Sequence, residues 1–286
     1  MEIAIVTDST ADIPDDLTQE NQIHVVPNLV IIDGKPYQDG IELSRQEYYE
    51  LLPFISTPPT TATASVGTYQ NLYEKLIGLG AKHILSIHVS SLLSGVINAA
   101  STAAQEFGKS VHVFDSRNVT LGLGFQVLAA AEAVRNGASL ETVLEVLMDI
   151  RSRARVIAML DTLEYVRRSG RVSWARARLG NLLRLKPFVD VHEGHVLSLG
   201  EARTRRKGIE RLRELLIRLG SLERLAILHT NAEDDASQFL RDLNPNLLTT
   251  PLIVNVTTAI GTHVGPNGLG FAAIVKKENI HETVLK

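Results

Sequence analysis

Three short stretches of this 286-residue chain concentrate the side chains that could do chemistry. They are residues 60–65 (TTATAS), 90–95 (SSLLSG) and 261–270 (GTHVGPNGLG). Hydroxyls and free backbone N–H groups at the end of a strand, just before a helix, form a cradle for an anion, because the helix N-terminus adds a positive dipole end. Residues 90–95 have that setting, between the apolar run 84–89 and the helix-like run 96–107. The plain alternative is that Ser90 and Ser94 cap a helix, as serines commonly do. The glycines of 261–270 permit close backbone approach or a positive φ and otherwise make turns. His263 stands among them in what reads as a flexible polar loop. Ser94, His263 and Asp115 also supply the residue types of a hydrolytic triad, but no G-x-S-x-G elbow accompanies the serine. A serine hydrolase or esterase using Ser94 and His263 therefore stands as the alternative to anion binding.

The elements that must position these stretches alternate. A strand over 3–7 ends in Asp8-Ser9-Thr10. A strand region over 23–32 is interrupted by Pro27 and followed by the turn Asp33-Gly34, and Ser44-x-x-Glu47 is a capping box opening a helix. Two prolines and dense threonines make 55–68 read as an exposed loop, with Ser65 or Thr68 capping the next helix. Strand 84–89 with its helix and strand 111–114 follow. An alanine-rich helix is then expected after Gly122 and Gly124, and another from Ser139 to about Arg153. This alternation predicts a parallel sheet with helices on both faces. Beyond 155 come a strand, a basic turn at 167–171, a helix over 174–183, a hairpin about Glu193-Gly194, and further strands and helices. A hairpin inside such a run predicts a mixed sheet. The expectation is an α/β chain of two domains, 1–154 with a three-layer parallel sheet and 155–286 with a mixed sheet, the ligand lying between them.

Composition narrows the function. With 44% hydrophobic but only 5% aromatic residues, the interior and any cavity must be mostly aliphatic. No cysteine is present, so disulfide and thiolate chemistry are excluded. Met1-Glu2-Ile3 runs straight into a strand pattern without a basic leader, and no apolar run reaches membrane-spanning length. A cytoplasmic protein without stable membrane insertion is expected. Residues 151–224 hold eighteen Arg or Lys against eight Asp or Glu, a net of +10, leaving −13 elsewhere. This basic island lacks interleaved aromatics and any nucleic-acid module, so a DNA-binding regulator ranks below a protein partner. A P-loop is absent, Gly265-x-x-Gly268-x-Gly270 has the wrong spacing for a dinucleotide fingerprint, and His192 and His195 read as hairpin residues rather than metal ligands.

Taken in order, Asp8-Ser9-Thr10-Ala11-Asp12-Ile13-Pro14, Thr61-x-x-x-Ser65, Ser90-Ser91-x-Leu93-Ser94-Gly95, Asp115-Ser116, Thr162-Leu163-Glu164-Tyr165 through Gly170-Arg171, Lys186-Pro187 and Gly261-x-His263-x-Gly265-Pro266 resemble the DegV family of fatty-acid-binding proteins. The resemblance spans nearly the whole chain. It implies two α/β domains holding one long-chain fatty acid, with its carboxylate at a polar cluster and its tail in an apolar tunnel. It also implies a carrier rather than an enzyme, without a cofactor, which presents the fatty acid to a separate fatty acid kinase for acyl-phosphate formation in phospholipid metabolism. Carried onto matching positions, Thr61 and Ser94 would donate to the carboxylate, with Arg171 and His263 beside it, and Arg203 would face the kinase. The chain departs from the family's usual Thr-Ser-Gln-Pro-Ser at residues 61–65 and from its double glycine at Ser169-Gly170.

The physics of such a ligand is consistent with these residues. A carboxylate enters an apolar site only with several donors, and charge-assisted hydrogen bonds are the strong ones. A tail of ~14 methylenes contributes on the order of 11 kcal/mol before association and ordering costs.

Overall fold

The computed structural model describes residues 2–177, 185–243 and 250–277. The chain opens with β1 (Ile3–Asp8), buried along its whole length, then a tight turn, α1 (Asp15–Glu20) and β2 (Ile23–Val26). Pro27 ends β2, and the chain leaves the first sheet for a hairpin, β3 (Leu29–Ile32) and β4 (Lys35–Gln38). Its two-residue turn is Asp33-Gly34, both with positive φ, as a tight hairpin requires. Next is α2 (Arg45–Leu51), opened by the capping box of Ser44 and Glu47.

Residues 55–68, expected as a loop, instead contribute β5 (Thr60–Ala62), which pairs antiparallel with β3. Its threonines are β-branched and suit an edge strand, and the prolines lie just outside it at 58 and 59. Ser65 then caps α3 (Val66–Gly78), followed by β6 (His83–His88), α4 (Val96–Ala104), β7 (Val111–Asp115), α5 (Leu121–Arg135) and α6 (Leu140–Arg153), the last capped by Ser139. Gly122 and Gly124 lie inside α5 rather than ahead of it. A Cβ on Gly122 would collide with Asn118 and Val156, and one on Gly124 with the Ala11 carbonyl, so these glycines let the helix approach the strand ends.

The second half comprises β8 (Ala154–Met159), α7 (Glu164–Ser169), α8 (Ser173–Ala177), β9 (Lys186–His192), β10 (His195–Ala202), α9 (Arg205–Ile217), β11 (Leu222–His229), α10 (Glu233–Arg241), β12 (Leu252–Asn255), α11 (Thr258–Val264) and β13 (Leu269–Val275). Most of the helix expected over 174–183 lies outside the described residues.

The fold class is α/β, as expected. The first sheet is all parallel in the order β2-β1-β6-β7. The second is mixed, β10-β9-β8-β13-β11-β12, and the third is the small antiparallel β4-β3-β5. Helix α5 packs against β1 and β6 of the first sheet and against β8 and β13 of the second. One apolar cluster consequently runs from Ile5 and Leu85 through Leu123 and Val127 to Ala272 and Ile274. The helix thus ties the two sheets together and fixes the spacing of the loops at their ends. Among the described residues no helix is long and apolar enough to cross a membrane.

Candidate functional site

A cavity of about 190 Å³ opens where the three sheets meet. This is many times the space one water needs. Thr61, Ser94, Arg171 and His263 all line it, although they come from β5, the loop before α4, the loop after α7, and α11. Most of the remaining wall is aliphatic. Val189 and Val191, alternate residues of β9, face it, joined by Leu160, Val166, Val172 and Val196. Alternation along β9 sends Phe188 to the opposite side, into the cluster beneath α9. The cavity therefore has a polar group of walls and a separate lining of small branched side chains.

The polar walls are held by hydrogen bonds. Thr61 Oγ1 and His263 Nε2 are 2.9 Å apart. His263 does not lie in a flexible loop as expected. It belongs to α11, whose N-terminal groups are fixed by two buried carboxylates. Asp12 Oδ1 accepts the Thr257 N–H at 2.8 Å, and Asp39 Oδ1 accepts the Thr258 N–H at 3.0 Å and its hydroxyl at 2.6 Å. Tyr48 of α2 meets Thr262 Oγ1 at 2.6 Å, and the neighbouring Tyr49 donates to the Val256 carbonyl at 2.9 Å. Glycine density alone masked a helix that carboxylate caps secure. The signal present in the sequence was Thr257 ahead of the helix, at its N-cap position, and Gly265 behind it.

Burial, and then the charge of Arg171, push the His263 pKa down to about 4. At neutral pH the imidazole is therefore neutral. When Nε2 carries its proton it donates to Thr61 Oγ1 and leaves the Thr61 O–H free for a ligand; the other tautomer would consume that O–H. Arg171 supplies the positive charge. It follows Gly170, whose φ of +72° ends α7, and its guanidinium donates to the Ser169 carbonyl at 2.6 Å. Ser94 Oγ accepts the Val96 N–H at 3.4 Å, which leaves its own O–H available to the cavity.

The serines before Ser94 serve the architecture. Ser90 is fully buried, accepts the Leu92 N–H at 3.2 Å, and donates to the Gly194 carbonyl at 3.4 Å. Ser91 donates to Asp115 at 2.6 Å. The β9–β10 hairpin tip thus rests on the loop carrying Ser94, and the Arg117–Glu193 ion pair, 2.6 Å, closes the same contact from the side.

The triad that the hydrolase alternative would draw on is not assembled. Asp115 accepts from Ser91 and from the Arg117 N–H, so it does not orient His263. The neighbour of His263 that alters its charge state is cationic, the opposite of what a general base needs. A serine–histidine–aspartate chain does exist elsewhere. Ser86 Oγ lies 2.7 Å from His88 Nε2, and His88 Nδ1 lies 2.9 Å from Asp8, but all three side chains are fully buried and none lines the cavity. Burial alone would raise the Asp8 pKa. Hydrogen bonds from His88, Thr10 and the Val89 N–H, with the His88 charge, outweigh it and hold the carboxyl below its usual value. Sequence reading gave no role to His88, which sits in a buried strand with no local motif around it.

Arg203 lies apart from the cavity. It is exposed, between β10 and α9, and among the described residues its side chain has no partner.

An α/β protein with an aliphatic cavity and a donor-rich polar wall between its sheets is built to hold an amphipathic small molecule. The family model "Uncharacterised protein, DegV family" matches residues 2–276. The chain is 35% identical over 276 residues to protein DegV of Bacillus subtilis, covering 94% of this chain and 98% of that one. It is also 35% identical over 276 residues to a DegV domain-containing protein of Deinococcus radiodurans, covering 95% and 98%. Among solved structures, a DegV family protein from Thermus thermophilus, described as binding fatty acid, superposes with a TM-score of 0.88 at 34% identity, covering 96% of this chain and 100% of that one. DegV of Bacillus subtilis, described as a fatty acid binding protein, superposes with a TM-score of 0.85 at 34% identity and the same coverage. The chain belongs to the DegV family.

Proposed function

We propose that this protein binds a long-chain fatty acid in the cavity and presents it to a fatty acid kinase, which forms the acyl-phosphate. The observation that carries the binding half is the meeting of four residues from four separate elements, Thr61, Ser94, Arg171 and His263, at one aliphatic cavity. Thr61 and Ser94 donate hydroxyl hydrogen bonds to the carboxylate, Arg171 supplies the opposite charge, and neutral His263 orients Thr61. The valines of β9 and their neighbours receive the tail. The fatty acid binding described for the Thermus and Bacillus relatives supports the same reading. Presentation to a kinase rests on the exposed, unpaired Arg203, outside the cavity and within a basic region of the chain.

Mass spectrometry of lipid extracted from the purified protein tests the binding half. A fatty acid near one equivalent supports the carrier. Protein that neither contains nor takes up fatty acid refutes it.

A further inference from the structure

The cavity has a polar wall that the carboxylate site does not use. Thr10 and Asn28 both line it, and both are more than nine-tenths buried. Asn28 directly precedes β3, and β3 pairs with β5 so that Leu29 lies opposite Ala62 and Val30 opposite Thr61. Asn28 therefore stands beside the strand that carries the proposed carboxylate donor.

What this wall offers is set by Asp8 behind it. Asp8 Oδ1 accepts the Thr10 hydroxyl at 2.5 Å, the Thr10 N–H at 3.1 Å and the Asn28 amide at 3.1 Å. The same amide nitrogen lies 3.3 Å from Ser9 Oγ. Turning the Asn28 amide over would set its oxygen against an ionised carboxylate, so Nδ2 must face Asp8 and Oδ1 must face away. The Asn28 backbone is also committed, its N–H to Ser9 Oγ at 3.1 Å and its carbonyl to the Asp39 N–H at 2.9 Å. Among the described residues no donor reaches Asn28 Oδ1. Thr10, having given its only hydroxyl proton to Asp8, can likewise only accept.

We propose that Asn28 Oδ1 and Thr10 Oγ1 form an acceptor subsite that takes a hydroxyl on the ligand close to its carboxyl end, so that the protein selects hydroxy fatty acids over unsubstituted ones. A carboxylate oxygen cannot satisfy these two atoms, since acceptor would face acceptor. A methylene would leave a buried carbonyl unpaired, which is unfavourable. A hydroxyl on the second or third carbon donates to Asn28 while the carboxylate remains with Thr61 and Ser94.

This inference rests on the fatty-acid reading of the cavity, and competition binding separates the two. Delipidated protein is titrated with tetradecanoate and with its 2-hydroxy and 3-hydroxy derivatives, each displacing a fluorescent fatty acid. The wild type is expected to bind at least one hydroxy acid roughly three- to tenfold more tightly than tetradecanoate, the range one neutral hydrogen bond gives. Asn28→Leu is expected to erase that preference while still binding tetradecanoate, with Asn28→Ala as the second variant should leucine disturb the fold. Equal or weaker binding of both hydroxy acids by the wild type overturns the inference and points to a bridging water at Asn28. A preference that persists in both variants also overturns it. Failure of all three acids to bind overturns the fatty-acid reading itself.

Discussion

Replacing Thr61 with valine isolates the polar anchor. Valine is nearly isosteric with threonine and equally β-branched, so β5 keeps its pairing with β3. Two things are lost. One is the proposed hydroxyl donor to the ligand carboxylate, and hydrogen bonds to charged groups contribute about 1.5–3 kcal/mol. The other is the partner of His263 Nε2 at 2.9 Å, which is left without its hydrogen bond at the cavity wall. At about 1.4 kcal/mol per decade, the first loss alone predicts a roughly 10- to 150-fold rise in Kd, and the second moves the expectation toward the upper end. The assay is displacement of a fluorescent fatty acid from delipidated protein, run beside a thermal melt. An unchanged melt with a Kd within twofold of wild type would refute the assignment of Thr61 to the carboxylate.

Four further outcomes are expected. Ser94→Ala weakens fatty-acid binding in the same assay while leaving the fold intact, and unchanged affinity would remove Ser94 from the carboxylate site. Arg203→Ala lowers phosphorylation of bound fatty acid by a partner kinase without changing Kd, and loss of ligand binding in that variant contradicts a docking role. The His263 ring, followed by NMR in the ligand-free protein, titrates near pH 4, and an entering carboxylate moves that midpoint up by opposing Arg171; a ligand-free midpoint at the ordinary value of 6.5 refutes the description of the site. Asp12→Asn stabilises the protein above pH 6. Burial chiefly, against the charge of Arg45, raises the Asp12 pKa from 3.8 to about 6, so the folded protein takes up this proton first and gains stability as pH falls through that window; the variant's advantage, on the order of 3 kcal/mol at most, should shrink toward pH 4 in chemical denaturation, and an advantage independent of pH would refute the cause.

The sheets were legible because their signals are local and redundant. Strands such as those expected over 84–89, which is buried, and 111–114, which is only partly so, announce themselves by largely apolar runs between polar loops, and Ser44, Ser65 and Ser139 each cap the helix expected of them. Two elements of the site were misread for the same reason, that their stability is tertiary. Thr60–Ala62 is too short and polar to read as a strand until β3 offers it a partner. The helix carrying His263 contains a glycine and is followed by others, and it depends on Asp12 and Asp39 from more than two hundred residues away. No local pattern contains those carboxylates. Asn28 falls within the strand region interrupted by Pro27, where no local motif marks it; the role proposed for it emerges only when Asp8, Ser9 and the cavity are seen around it.

Those acids also bear on where the proposed carboxylate site can lie. Asp8, Asp12 and Asp39 are each almost fully buried close to the cavity walls. Asp8 is directed at His88, Thr10, Asn28 and the Val89 N–H, and Asp39 at Ser9 and the start of α11. Each hydrogen bond they accept is a donor withdrawn from the cavity, so the proposed carboxylate contacts fall to groups these acids do not reach. Thr61, Ser94 and Arg171 accept or donate to other partners and have no bond to Asp8, Asp12 or Asp39. The buried acids thus divide the cavity wall into a face that gives hydrogen bonds and a face that can only accept them. A ligand with a carboxylate at one end and nothing else polar uses the first face alone. Asn28 and Thr10 make the second face a selective surface, because the amide and the hydroxyl that would have been donors there are already spent on Asp8.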